Sequence, residues 1–174
     1  LGMVARFDPY KDHRNLLAAL GQMKAHGVEF LCLLVGTGMA GDNAELAAWL
    51  DEFDLRDRVR LLGPLNDIPS LMNALDVHVL SSYKEAFPNV LCEAMACGTP
   101  CVTTEVGDAG VIVGKIGWRV PPGSSALLAQ AMPDRLAGSV AYQRAFALVL
   151  GAHFHLRAAM VEGGAGRRSA LARV

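Results

Sequence analysis

The chain has 174 residues, 52% of them hydrophobic, and its 16 basic and 17 acidic side chains leave a formal net charge of −1. That balance gives no long-range positive field for nucleic acid or anionic lipid, so any anion site has to be local. The apolar runs, such as 30–35 and 77–80, stop far short of the roughly 20 residues that cross a bilayer, while the hydrophobic content suffices for one core.

Short apolar runs alternate with longer amphipathic ones, the pattern of βαβ units winding a mostly parallel sheet, so the class is α/β. The chain opens on Leu1-Gly2-Met3-Val4-Ala5, read as a buried strand over 2–5 with no charged and apolar leader ahead of it, and an upstream portion is expected to be missing. A helix is expected over 13–26, with Gly27 as the left-handed residue past its end. A strand at 30–35 and a helix at 43–53 follow, then a strand at 59–62, a helix at 68–74 and a strand at 77–80. The best delimited helix covers 88–97: Pro88 suits a first helical position, Gly98 closes the helix and Pro100 stops its continuation. Strands at 100–103 and 117–120 and a helix from Ser124 complete one domain over 1–160. The stretch Gly163-Gly164-Ala165-Gly166-Arg167-Arg168 breaks the pattern, so 161–174 reads as a fraying tail.

Cys32, Cys92, Cys97 and Cys101 form no CxxC pair and have no histidine at zinc-ligand spacing, so they read as reduced, buried thiols in a cytoplasmic protein. His13, His26 and His78 suggest no site, and His78, inside a strand, reads as packing.

In open parallel sheets ligands bind beyond the carboxyl ends of the strands, which directs attention to the loops 6–11, 36–38, 81–89 and 103–110. With Pro88 at the first helical position, the amides of Asn89, Val90 and Leu91 are left unpaired at the positive end of the helix dipole, an anion site. Glu85 lies in the loop before that helix and Glu93 within it. A diphosphate held at the helix start would separate two hydroxyl-rich groups, each within reach of one carboxylate, and the implied ligand is a nucleotide diphosphate-sugar. Taken singly, both glutamates are also readable as solvated surface charges. Glu93, however, sits in the apolar run Val90-Leu91-Cys92-Glu93-Ala94-Met95-Ala96-Cys97 and is expected to be buried, where an unpartnered carboxylate is costly and a ligand is a natural partner.

Arg6 and Lys11, in the loop leaving the first strand, read either as ordinary surface charges or as cations that neutralise a departing diphosphate. Gly36-Thr37-Gly38 either lets backbone approach a phosphate or sugar or forms a plain turn. It lacks the third glycine and the immediate helix of a dinucleotide fingerprint.

Glu85 and Glu93 with Phe87-Pro88-Asn89-Val90-Leu91 between them, followed by Ala94-Met95-Ala96-Cys97-Gly98-Thr99-Pro100, resemble the E-x7-E signature of group 1 glycosyltransferases. The similarity runs in family order from Val4-Ala5-Arg6 and Lys11 through Leu34-Val35-Gly36-Thr37-Gly38, 59–63 and 76–82 to Gly117-Trp118-Arg119-Val120-Pro121-Pro122-Gly123, roughly the first three-quarters of the chain. It implies a GT-B architecture of two Rossmann-like domains, each an open parallel sheet with helices on both faces. This chain would be the C-terminal, donor-binding half, and the N-terminal acceptor domain of the same polypeptide, its main partner, would lie outside it.

By the same resemblance Arg6 and Lys11 would bind the diphosphate, Glu93 the ribose and Glu85 the transferred sugar, with the amides of Asn89, Val90 and Leu91 completing the phosphate site. Glu85, Lys11 and Arg6 are the catalytic candidates, acting by position and by stabilising leaving-group charge. Leu65, in the loop after Gly63, is a candidate for contact with the base. The donor is expected to be a UDP- or GDP-linked hexose, transferred with retention, with no metal and no other cofactor. As an isolated half the chain is expected to bind donor weakly and to transfer nothing. A cytoplasmic protein is implied, with room for peripheral membrane association through the other half.

Two departures stand out, Val111 where the family often has an acid, and Gly114-Lys115-Ile116-Gly117 in place of an acidic turn. The alternatives are a nucleotide-sugar epimerase half on the same fold and a non-catalytic sugar-nucleotide or interaction module. The last would show Glu85 or Lys11 turned away or salt-bridged to neighbours.

Overall fold

Six parallel strands form one sheet in the order β3-β2-β1-β4-β5-β6 in the computed structural model, which describes residues 1–134. The strands are β1 (Gly2–Val4), β2 (Cys32–Val35), β3 (Val59–Gly63), β4 (His78–Leu80), β5 (Cys101–Thr104) and β6 (Trp118–Val120). Between them run α1 (His13–Ala25), α2 (Ala44–Glu52), α3 (Ile68–Ala74), α4 (Asn89–Ala96) and α5 (Ala109–Val113), and a sixth helix, α6, occupies 125–134. The winding runs outward from β1 to β3, then restarts at β4 on the other side of β1. Helices α1 and α2 pack together, and α3, α4 and α5 form a second group. With right-handed crossovers this reversal sets the two groups on opposite faces of the sheet.

Local sequence explains most element ends. Asp12, Asn43 and Asp67 cap α1, α2 and α3, their side chains accepting from the amides of Asn15, Leu46 and Ser70. Gly27 and Gly98 take positive φ just past α1 and α4, as expected. Helix α4 starts one residue later than the sequence suggests: Pro88 is its N-cap, with extended backbone and no capping side chain. Helix α5, read as loop from the sequence, is only five residues long, contains Gly110 and has no side-chain cap, so its β-branched residues carried no helical signal. The boundary at 160 and the tail 161–174 lie outside the described residues.

One core spans both faces, built from residues such as Leu16, Leu20, Leu34, Met72, Val79 and Leu91. Cys32 and Cys101 are buried within it, and burial pushes both thiols up to about 12. Cys92 is exposed and Cys97 half-buried, against the expectation that all four are buried, because Cys92 falls on the outer side of α4. His78 is fully buried on β4, and among the described residues neither ring nitrogen has a hydrogen-bond partner. Desolvation lowers its pKa to about 4.

A buried neutral histidine binds fewer protons than its unfolded counterpart, so its contribution is present above about pH 6.5 and is lost as pH falls through the folded value of about 4. His78→Leu removes both unpartnered nitrogens at similar volume. It is expected to leave stability at pH 7.5 equal or higher and to flatten the fall in melting temperature between pH 6.5 and 4.5. Thermal unfolding of both proteins across that range checks it; parallel curves would refute it.

Candidate functional site

Because β1 pairs directly with β4, the loops leaving their carboxyl ends meet at the point where the winding reverses. The first of these loops holds a one-turn 3-10 helix over Pro9–Lys11, started by Asp8, whose carboxylate accepts from the Tyr10 amide. It ends at Asp12 in the left-handed conformation, which turns the chain directly into α1. The second loop is stitched to it. The Tyr83 amide donates to the Tyr10 carbonyl at 3.0 Å, and buried Ser81 directs its hydroxyl to the carbonyls of Lys11 and Asp12, each at 3.0 Å. The Tyr10 and Tyr83 rings lie 5.4 Å apart, and the Lys84 ammonium sits 5.3 Å from the Tyr10 ring centre.

At the centre of this junction Lys11 Nζ donates to Glu85 Oε1 at 2.5 Å, with the two side chains 22% and 10% exposed. Ser82 Oγ donates to the same oxygen at 2.7 Å. Glu85 Oε2 accepts nothing from the described residues. Lys11 and Glu85, 74 positions apart in sequence, are thus brought together and salt-bridged to each other.

The other candidates are placed differently. Arg6 is 69% exposed and pairs with Asp8 at 3.0 Å, not with Glu85. The Asp8 carboxyl is held below its ordinary range, first by the Tyr10 amide and then by Arg6. Of the three amides expected to be free at the start of α4, that of Leu91 donates to the Pro88 carbonyl at 3.0 Å, since Pro88 caps the helix. Those of Asn89 and Val90 have no backbone partner among the described residues. Glu93 is exposed, contrary to expectation: α4 turns Leu91 and Ala94 to the core, and the 3.6-residue period places Cys92, Glu93 and Ala96 outside. The desolvation argument for a partner at Glu93 therefore falls, although its carboxylate accepts no hydrogen bond from the described residues and stays available. Leu65 is 40% exposed in the loop between β3 and α3. Val111 stands 81% exposed on α5.

Gly36 and Gly38 have an internal reason to be glycine. A Cβ on Gly36, at φ +138°, would lie 2.2 Å from the Ala5 carbonyl oxygen, and one on Gly38, at φ +83°, 2.6 Å from Phe7 Cβ. The Phe7 amide donates to the Thr37 carbonyl and the Gly36 amide to that of Gly63, so the loops after β1, β2 and β3 pass at backbone distance.

Sequence reasoning gave no role to Ser81, Ser82, Thr104 or Gly107. Thr104 Oγ1, at the end of β5, donates to the Ser82 carbonyl, and the Asp108 amide to that of Ala86 at 2.9 Å. Gly107, at φ +50°, lies so close that a Cβ there would be 2.3 Å from the Glu85 carbonyl oxygen. The one local pattern at Ser82, a hydroxyl three residues before a loop carboxylate, is too common in loops to have singled it out. Two depressions flank the junction. One of about 260 Å³ is lined by Phe7, Asp8, Asp12, His13 and Trp49 among others, and one of about 400 Å³ by Glu105, Gly107, Lys115 and Arg119 among others; Lys11 and Glu85 line neither.

The model of the family described as glycosyl transferases group 1 matches residues 1–137. Among curated proteins, the chain is 38% identical over 116 residues to the putative glycosyltransferase EpsF of Bacillus subtilis, covering 64% of this chain and 29% of that protein. It is 34% identical over 118 residues to the 2-deoxystreptamine glucosyltransferase of Streptomyces kanamyceticus, covering 67% and 30%. Among solved structures, Anabaena HepE in complex with UDP-glucose superposes with a TM-score of 0.69 at 31% identity, over 84% of this chain and 43% of that one. Sucrose-phosphate synthase from Thermosynechococcus elongatus gives 0.71 at 30% identity, over 91% and 45%. The chain therefore spans about a third of the curated relatives' length and under half of the solved ones.

Gly107→Ala is expected to lower stability by at least roughly 2 kcal/mol, because the new methyl meets carbonyl oxygens as well as a left-handed backbone. Gly123→Ala, also at positive φ but with nothing within 4 Å of its Cβ, should lose only about 1 kcal/mol. Urea unfolding of the two variants checks this; equal losses would show that the Glu85 loop yields to the methyl.

Proposed function

The chain belongs to the group 1 glycosyltransferases, and on that premise we propose that it is the donor-binding part of a longer enzyme, holding a nucleotide diphosphate-sugar for transfer with retention. The observation that carries this reading is the Lys11–Glu85 pair at the winding reversal, four residues before a helix start that has no side-chain cap. Cation, carboxylate and free amides are there presented from neighbouring strand ends.

In this reading the diphosphate lies against the amides of Asn89 and Val90, where the helix dipole favours negative charge. Lys11 approaches it with the two ammonium hydrogens that Glu85 does not use, and Arg6, on an exposed side chain, swings from Asp8 to the same group. Glu85 Oε2 accepts from a hydroxyl of the sugar and Glu93 from the ribose. When the bond between the anomeric carbon and the phosphate oxygen breaks, the cations and amides stabilise the charge that develops on the leaving diphosphate. The acceptor oxygen bonds the same face of that carbon and its proton passes to the leaving phosphate. Acceptor contacts would come from the rest of the polypeptide, and the chain alone transfers nothing.

A non-catalytic module would also show Lys11 and Glu85 in salt bridges. That mark is present, so the salt bridge is common to both readings. What supports the donor site is that the pair joins two candidate site residues beside the amides of Asn89 and Val90, which have no backbone partner among the described residues, and the titration below separates the two. HepE has been solved with UDP-glucose, which makes UDP the first nucleotide to test. Among the described residues no helix is long and apolar enough to cross a membrane. We place the enzyme in the cytoplasm, with any membrane contact made by the remaining polypeptide.

Calorimetric titration with UDP, GDP and ADP and their glucose conjugates tests the assignment on wild type, Lys11→Ala and Glu93→Ala. Saturable binding of one nucleotide, weakened roughly tenfold by each substitution, is expected. Binding that both substitutions leave unchanged, or no binding by the folded wild-type chain, would overturn it. Change of sugar configuration without acceptor in the full-length enzyme would favour an epimerase instead.

A further inference from the structure

We infer that Ser82 is a positioning residue, one that holds Glu85 in the orientation that meets the donor sugar when Lys11 turns to the diphosphate; this rests on the donor-site reading above. Glu85 has two carboxylate oxygens in very different situations. Oε1 receives both internal donors, Lys11 Nζ at 2.5 Å and Ser82 Oγ at 2.7 Å, whereas Oε2 receives none from the described residues, on a side chain that is 10% exposed. A carboxylate pinned through one oxygen presents the other in a defined direction, which is what recognition of a sugar hydroxyl requires.

The two pins are not equivalent. Lys11 is a long, flexible cation, and a diphosphate carrying more negative charge than Glu85 competes for its ammonium. Ser82 is fully buried and has no such freedom. Its carbonyl is fastened by the Thr104 hydroxyl from β5, and the neighbouring Ser81 is fastened to the loop after β1. Gly107 closes in behind the Glu85 carbonyl and forbids the loop to back away. Ser82 is thus the donor that remains when the ion pair is shared with ligand. It touches neither phosphate nor sugar and acts only through Glu85.

Ser82→Ala removes one hydroxyl at a buried position, and Glu85→Gln reports the loss of the carboxylate itself. Both are titrated with UDP and with UDP-glucose, alongside thermal unfolding and a crystal structure of the Ser82→Ala chain. The expected result is UDP affinity within about twofold of wild type, a roughly five- to tenfold loss of the extra affinity for UDP-glucose, and Glu85 displaced from its present position. A merely structural role would instead lower UDP affinity and melting temperature together. An unchanged UDP-glucose increment, or equal wild-type affinity for UDP and UDP-glucose, overturns the assignment. If the wild type binds GDP or ADP instead, that nucleotide and its glucose conjugate replace the UDP pair; if it binds none of them, the donor-site reading fails by itself, and the crystal structure still decides whether Ser82 holds Glu85: an unmoved Glu85 refutes the hold, a displaced one sustains it.

Discussion

Everything in this molecule hangs on the direct parallel pairing of β1 with β4. Gly2 is the residue at the contact, paired with Leu33 on one side and His78 on the other, its amide donating to the Val77 carbonyl at 3.0 Å. A Cβ there would stand 2.8 Å from a Leu75 methyl. The side chain of Leu75 fills the space that a side chain at position 2 would need, and the middle of the sheet closes as a result. Only because these strands are neighbours do two loops separated by some seventy residues share one edge, and only there do Lys11 and Glu85 meet.

That meeting has an electrostatic consequence. Two partly buried opposite charges within hydrogen-bonding distance offset, by their attraction, the desolvation that each suffers. The two charges therefore satisfy each other, and on the proposed donor reading a ligand must offer more than either residue gives the other. A diphosphate joined to a sugar does so: it supplies negative charge for the ammonium and hydroxyl donors for the free carboxylate oxygen in one molecule. A simple anion supplies only the first. On the proposed donor reading, selection of a bipartite ligand would arise from a pair that looks, taken alone, like an ordinary salt bridge.

The order of elements was legible because its punctuation is physical. Gly27 and Gly98 occupy the left-handed positions that helix ends demand, and the alternation of short apolar runs with amphipathic ones maps onto strands and helices in register. That the loops after the first and fourth strands would converge was also readable from the strand ends, but Lys11 was expected to face a diphosphate and Glu85 a sugar, and their salt bridge to each other was not foreseen. Glu93 was misread because α4 is rich in alanine, cysteine and methionine, which are as much at home outside as inside. The 3.6-residue period that turns Leu91 and Ala94 inward and Glu93 outward was hidden by composition. Ser82 was unreadable for another reason: a serine in a loop has many partners open to it, and only the fold decides that it reaches Glu85 Oε1.

The glycines carry the argument one step further. Gly36 looked like a residue that lets backbone approach a phosphate, yet the group it makes room for is the Ala5 carbonyl of its own chain. Gly107 does the same beside Glu85 and Ala86. In both cases the missing side chain lets one strand-end loop press against the next, so that the loops after β1, β2, β3, β4 and β5 brace one another by backbone contacts. The candidate side chains then stand on a rim shaped by main-chain contacts together with the buried hydroxyls of Ser81 and Thr104. On the proposed donor reading, substitutions on the solvent side of that rim would retune which sugar or base is read without disturbing the frame that holds Glu85, a separation between scaffold and recognition that strand-end loops in wound sheets permit.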